Sequence, residues 1–182
     1  YRQPFAPYPL VDNAEATKLS TNADDFVVAL GGYVQEKATD KVWRLVTFLP
    51  TASADIDFAA ALIVHEVGNT FRYGTGGFQV AQDYSDTNGM PAGINVTHAI
   101  DISGVSVNQY GYVQVAGECE VTNHDGTCPT GSVLETHAVD GGTTDVGDGT
   151  MPTIGWVIAD AGTTTPIARL QIGSVIPVEV NG

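Results

Sequence analysis

Basic residues are scarce in this chain: seven lysines and arginines stand against 21 aspartates and glutamates, for a formal net charge of −14. Only Arg169 follows Arg72, so the second half is an almost purely acidic unit. A surface of that sign repels phosphate backbones and anionic lipid, which excludes nucleic acid and membrane surfaces as partners and leaves proteins or neutral glycans. The other basic residues, Arg2, Lys18, Lys37, Lys41, Arg44 and Arg72, all fall early, so docking onto an acidic surface would use the N-terminal portion. Long apolar runs are missing too, and none approaches a membrane span.

Cysteine is just as sparse. Cys119 and Cys128 are the only two. They flank His124-Asp125-Gly126, a strong turn signal, and a hairpin there would bring their Cα atoms close enough for a disulfide if the register agrees. One disulfide and two free thiols both fit this spacing. A zinc site from Cys119, His124 and Cys128 lacks a fourth ligand and the usual paired spacing.

Signatures of catalysis are absent as well. The serine-nucleophile pattern Gly-x-Ser-x-Gly does not occur, and His65-Glu66 lacks the second histidine of a metalloprotease helix. Paired carboxylates for glycoside cleavage are a spatial matter that the sequence leaves open. Asp140-Gly-Gly-Thr-Thr-Asp145-Val-Gly-Asp148-Gly149 offers carboxylates and loop carbonyls of the kind Ca²⁺ accepts, but without the glutamate of an EF-hand, and a solvated acidic loop is the simpler reading. Asn95-Val96-Thr97 matches a glycosylation sequon, meaningful only in a chain secreted by a eukaryote. The reading is non-enzymatic, with no cofactor and no metal.

What the chain does have is β-forming sequence. With 182 residues and 43% hydrophobic content it can bury one good core or two small ones. The most regular stretch is Val107 to Gly117: Tyr110, Tyr112 and Gln114 alternate with Gly111, Val113 and Val115, which predicts a central strand bounded by Gly104 and Gly117. Gly111 inside it implies a bulge, an aromatic lying over the glycine, or the approach of a neighbouring subunit.

Upstream, residues 1–20 read as an extended arm. Its first part combines three prolines with Phe5, Tyr8 and Leu10, which want cover, and Ala14 to Leu19 suits one short helical turn. Phe26–Leu30, Tyr33–Gln35 and Val42–Leu49 read as strands, the last two joined by a turn at Glu36–Asp40. Residues 53–67 suit a helix capped by Ser53 or Asp55 or, through Leu62-Ile63-Val64, a buried strand. Thr70–Tyr73 and Phe78–Ala81 flank a glycine-rich turn. Further strands are expected at Ala92–Val96, Ala99–Ile102, Val105–Val115, Glu118–Val121, Val133–Thr136, Ile154–Ala159 and Ile167–Val180. The predicted fold is all-β, an antiparallel barrel or sandwich over residues 21–182, with a possible subdomain boundary near 85–92.

Gln109-Tyr-Gly-Tyr-Val-Gln-Val-Ala-Gly117, the following Asp-Gly turn, Gly131-Ser-Val-Leu134 and Ile154-Gly-Trp-Val-Ile158 resemble the C-terminal half of the head decoration, or cement, proteins of tailed phages. The similarity spans roughly Ala92 to Val180. It implies a β-rich, commonly trimeric protein on the outer surface of the virion head, clamping subunits of the major capsid protein together with no chemistry of its own. On that reading Arg2, Phe5, Tyr8 and Leu10 are the candidate capsid or subunit contacts. Tyr110, Tyr112 and Trp156 are candidates for packing within the body or across the trimer axis. The alternative is a secreted or surface carbohydrate-binding β-module, in which tyrosine and tryptophan beside acidic loops would form the platform.

Overall fold

The computed structural model describes residues 8–48, 56–64, 79–81, 91–96, 109–124, 128–137, 143–144, 153–159 and 165–172. Among them the fold is all-β: one large mixed sheet with a single short α-helix and one 3₁₀ turn. The strands are β1 (Leu10–Val11), β2 (Leu19–Ser20), β3 (Tyr33–Glu36), β4 (Val42–Phe48), β5 (Ala61–Val64) and β6 (Gln79–Ala81), followed by β7 (Pro91–Ile94), β8 (Gln109–Glu120), β9 (Val133–Thr136), β10 (Thr143–Thr144), β11 (Thr153–Ala159) and β12 (Ile167–Gln171). The helix α1 spans Asn13–Ala16, with Asp12 as its N-cap, accepting from the Glu15 N–H at 2.9 Å.

The long strands β4 and β8 form the spine. They pair antiparallel along the whole of β4, from Val42 opposite Ala116 to Phe48 opposite Gln109. From there the sheet runs both ways. Along one edge of β4 lie β3 and, further on, the parallel strand β6. From β6 the path β6–β5–β7 leads back to β8, so these ladders close a ring through the β4–β8 pair. On the other side β8 continues into β12, β11, β9 and β10. Most of the pairings are antiparallel, as expected; β1 with β3 and β4 with β6 are parallel.

Because side chains alternate along a strand, the spine has two faces, and both are buried. Val46, Phe48, Val113 and Val115 face the larger core, which also holds Ile56, Leu62, Ile94, Leu134 and Ile154. Trp43, Leu45 and Tyr112 face a second, smaller core built with Val11, Ala16, Phe26 and Val34. The Phe26 ring meets the Tyr112 ring edge-on at 5.2 Å. The second core exists because the N-terminal segment lies over the sheet.

That placement changes the reading of the arm. Within the expected 1–20 arm, residues 8–20 are part of the body. β1 adds to the edge of β3, Pro9 O accepts from the Gln35 N–H at 2.9 Å, and β2 pairs with β8. Val11 and Ala16 are buried because they close the small core. Arg2 and Phe5 lie outside the described residues.

Several other expectations are corrected. Phe26–Leu30 is not a strand, because the edge of β4 it would need is taken: β3 occupies Val42–Arg44, Gly31 and Gly32 bond to Leu45, and β6 occupies Thr47–Phe48. The helix alternative for residues 53–67 is not adopted where the segment is described: Ile56 forms a bridge, a turn follows, and Ala61–Val64 is strand β5. Gly117 does not end its strand. With φ at +88° it lets β8 run on to Glu120, and an added Cβ there would meet the Lys41 backbone at 2.9 Å. Over Gly111, the side chains of Phe48 and Leu19 lie where a Cβ would stand, at 3.0 and 2.7 Å, so the aromatic over the glycine is the reading the structure bears out. The expected strands at Thr70–Tyr73 and Ala99–Ile102, the 105–108 part of Val105–Val115 and the 85–92 boundary up to residue 90 lie outside the described residues, as do residues 173–182.

Candidate functional site

Two surface features of the sheet offer something to bind. The first is the outer face of β12, β11 and β9. Directly opposed residues in a ladder point the same way, and Trp156 stands opposite Val133 on one side and Arg169 on the other. Ile167, two positions from Arg169, shares that face. Val133, Trp156 and Ile167 are 52%, 37% and 38% exposed, whereas the intervening Leu134, Val157 and Ala168 are buried. These outward positions carry large apolar groups where solvent-facing strands usually carry polar ones.

Acidic groups line the β8 side of this strip. Arg169 lies opposite Glu118 and Ile167 opposite Glu120 across the β12–β8 ladder. The Arg169 guanidinium is ion-paired with Asp40 from the β3–β4 turn and lies 3.7 Å from Glu118. It therefore neutralises neighbours on its own chain, and the rim keeps an acidic balance.

The second feature is a cleft of about 220 Å³ where α1 meets the spine, lined by residues that include Trp43, Gln114, Lys41, Glu120, Phe58 and Thr17. Trp43 and Gln114 are cross-strand neighbours on the small-core face. Gln114 is fixed by its own strand: its Nε2 donates to Ala116 O at 3.1 Å and to Glu118 O at 3.0 Å, holding the backbone around Gly117. Those two bonds also settle which amide atom is oxygen, since a flipped amide would set oxygen against two carbonyls. The Gln114 Oε1 and the Trp43 Nε1 are buried, with no hydrogen-bond partner among the described residues. Phe58, 45% exposed, supplies apolar surface to the same cleft.

The predicted site residues are distributed as follows. Tyr112 is fully buried and Tyr110 packs against the small core, so both serve the interior of the body. Trp156 faces outward. Tyr8 is half-buried, its ring 5.8 Å from that of Tyr33, and Leu10 is 57% exposed at the outer edge of the sheet.

Cys119 and Cys128 are two buried thiols and form no disulfide with each other. The hairpin that was to join them does not form, because β12 and β11 stand between β8 and β9. Burial pushes the Cys119 thiol well above its ordinary value. His124 stacks on His137 with ring centres 4.5 Å apart. Among the described residues no group of three histidines, cysteines or carboxylates could hold a metal ion. Thr143–Thr144 of the aspartate-rich loop forms β10, and Asp140, Asp145 and Asp148 lie outside the described residues. Asn95, the acceptor of the sequon, is wholly buried and its amide donates to Asp57 O at 2.8 Å, which removes it as a glycan site.

Sequence reasoning did not single out Val133, Ile167, Lys41 or Phe58. A signal was available for Gln114, an amide in an otherwise aromatic and apolar alternation. No protein-family model matches the chain, and no curated protein matches it.

Proposed function

We propose that this chain is a structural adhesion protein of the capsid-decoration kind, which binds the outer surface of a phage-type head as a homotrimer and bridges subunits of the major capsid protein. The observation that carries the reading is the exposed pair Val133 and Trp156, directly opposite each other across the β9–β11 ladder, with Arg169 opposite Trp156 and the exposed Ile167 two positions along β12 on the same face. A contiguous exposed apolar surface rimmed by polar groups is the usual mark of a protein contact. Tryptophan beside arginine is the composition of interface centres. The resemblance over residues 92–180 points the same way, since β9, β11 and β12 all fall inside it.

The thermodynamic logic is linkage. A ligand that binds the assembled lattice and not the free subunits shifts the equilibrium toward assembly, and several modest contacts tied together in a trimer add avidity. With residues 8–11 strapped to their own sheet, this face is the adhesive surface.

Co-sedimentation with purified heads tests the reading. The wild-type protein is expected to pellet with them, and a Trp156→Ala, Val133→Ser double variant to bind at least about tenfold more weakly, as losing an interface anchor of this size does. Binding that is unchanged in the double variant would remove the strip from the reading. Sedimentation equilibrium checks the trimer.

A further inference from the structure

We propose that the protein surface met by the Val133 and Trp156 face is basic: it presents lysine or arginine side chains to β8, two strand spacings or roughly 10 Å from the apolar group that covers Trp156. The inference rests on the adhesive reading of this face and names the chemistry of what the face takes.

The ladder registers set out the pattern. Opposed residues form one outward row across four adjacent strands, Val133 of β9, Trp156 of β11, Arg169 of β12 and Glu118 of β8. A second, shorter row sets Ile167 of β12 opposite Glu120 of β8. Both rows end in a carboxylate at β8, so the face has an apolar half and an acidic half.

The one cation within the rows does not cancel the acids. Arg169 is shared between Asp40, with which it is ion-paired, and Glu118 at 3.7 Å, and the side chains of both carboxylates are more than half exposed. Lys41, the other cation nearby, lines the adjoining cleft together with Glu120. Asp40, Glu118 and Glu120 thus outnumber Arg169 and Lys41 locally, within a chain whose net charge is −14.

Three kinds of partner surface can be compared on these charges. An acidic one is repelled by the chain as a whole and has to compete with Asp40 and Glu118 for Arg169. A wholly apolar one strips water from Glu118 and Asp40 and gives nothing in return. A surface with an apolar group over Trp156 and a basic group beside Glu118 answers both halves, and the long-range field of the chain steers it into place.

Co-sedimentation with purified heads over a salt series tests the inference. Between about 20 and 500 mM sodium chloride the wild-type affinity is expected to fall at least about threefold, because salt screens attraction between opposite charges. A partner of like charge gives the reverse trend, and an uncharged one no decline. Two variants that each remove one negative charge test position. Glu118→Gln lies in the long row, whereas Asp24→Asn lies on the 3₁₀ turn Ala23–Asp25 next to β2, which joins β8 at the end remote from Glu118. At about 20 mM salt Glu118→Gln is expected to bind at least about threefold more weakly and with a flatter salt dependence, and Asp24→Asn to stay within about 1.5-fold of the wild type. Affinity that holds or rises with salt overturns the inference, as does a Glu118→Gln variant that binds no more weakly than Asp24→Asn; in both cases the capsid reading stands. Wild-type protein that pellets with heads at no salt concentration overturns the capsid reading, and this inference with it.

Discussion

Trp43 and Gln114 face each other across the β4–β8 ladder, and each buries a polar atom with no hydrogen-bond partner among the described residues. Gln114 nevertheless stabilises the sheet, through the two bonds its Nε2 makes on either side of Gly117. Gln114→Glu would set one carboxylate oxygen against the carbonyls of both Ala116 and Glu118 with no proton between them, whereas Gln114→Met would lose the bonds but also remove the orphaned oxygen. The glutamate variant is therefore expected to lose about 3 kcal/mol or more and the methionine variant about 1–2 kcal/mol, measured by urea denaturation. Equal losses would show that the orientation of the amide is immaterial.

Gly155 tests how closely β11 and β12 approach. An added Cβ would fall against the Arg169 backbone carbonyl, which cannot swing aside as a side chain could, because Gly155 is paired with Leu170 on that edge. Gly155→Ala should cost about 3 kcal/mol or more, at the upper end for overpacking. Gly131 is the control. It has φ at +93° but nothing within 4 Å of an added Cβ, so Gly131→Ala should cost only the left-handed backbone strain of about 1–2 kcal/mol. Thermal unfolding of the two variants ranks them.

Local pattern carried much of this fold and little of its long-range order. The alternation of residue types from Tyr110 to Val115 announced β8, and Val133–Thr136 matches β9 at both ends, because β-forming composition is written in neighbouring residues. Phe26–Leu30 has the same composition and fails as a strand for a reason that lies elsewhere in the chain, the occupied edge of β4. Of the two places expected for Trp156, the body interior and the trimer axis, the single chain excludes the first, since Trp156 faces out; alternation shows that two faces differ without showing which of them the core takes. The β8–β12–β11–β9 order, which separates the two cysteines, depends on pairings that no short window contains. The cleft was illegible for the same reason: Thr17, Lys41, Phe58, Gln114 and Glu120 converge from segments far apart in the chain.

The cysteines give a direct chemical readout. Both Cys119 and Cys128 are buried, and the thiolate is the reactive form, which burial disfavours at Cys119. Two thiols should titrate with Ellman's reagent in denaturant and fewer than one in ten of them in the native protein over the same interval. Mass spectrometry of unreduced protein showing a two-proton deficit would indicate a disulfide and contradict the strand order between β8 and β9.

Alkaline stability follows from two buried acids. Burial, with Glu15 nearby, pushes the Tyr112 phenol up to about 12, and burial pushes the Cys119 thiol up as well. Each folded value lies above the unfolded one, so the unfolded chain releases these protons first. The stability they contribute is complete below the unfolded values, about 8.5 for a thiol and 10 for a phenol, and is lost as pH climbs toward the folded values. The melting temperature should therefore begin to fall above about pH 8.5 and fall more steeply above about pH 10, where both groups ionise on unfolding. Tyr112→Phe removes one of the two. Its melting temperature should decline less between about pH 10 and 12 than that of the wild type, while the two curves run parallel below about pH 9. Parallel curves over the whole range would mean that the phenol at Tyr112 reaches solvent in the folded protein, and with it that the N-terminal segment does not seal the smaller core.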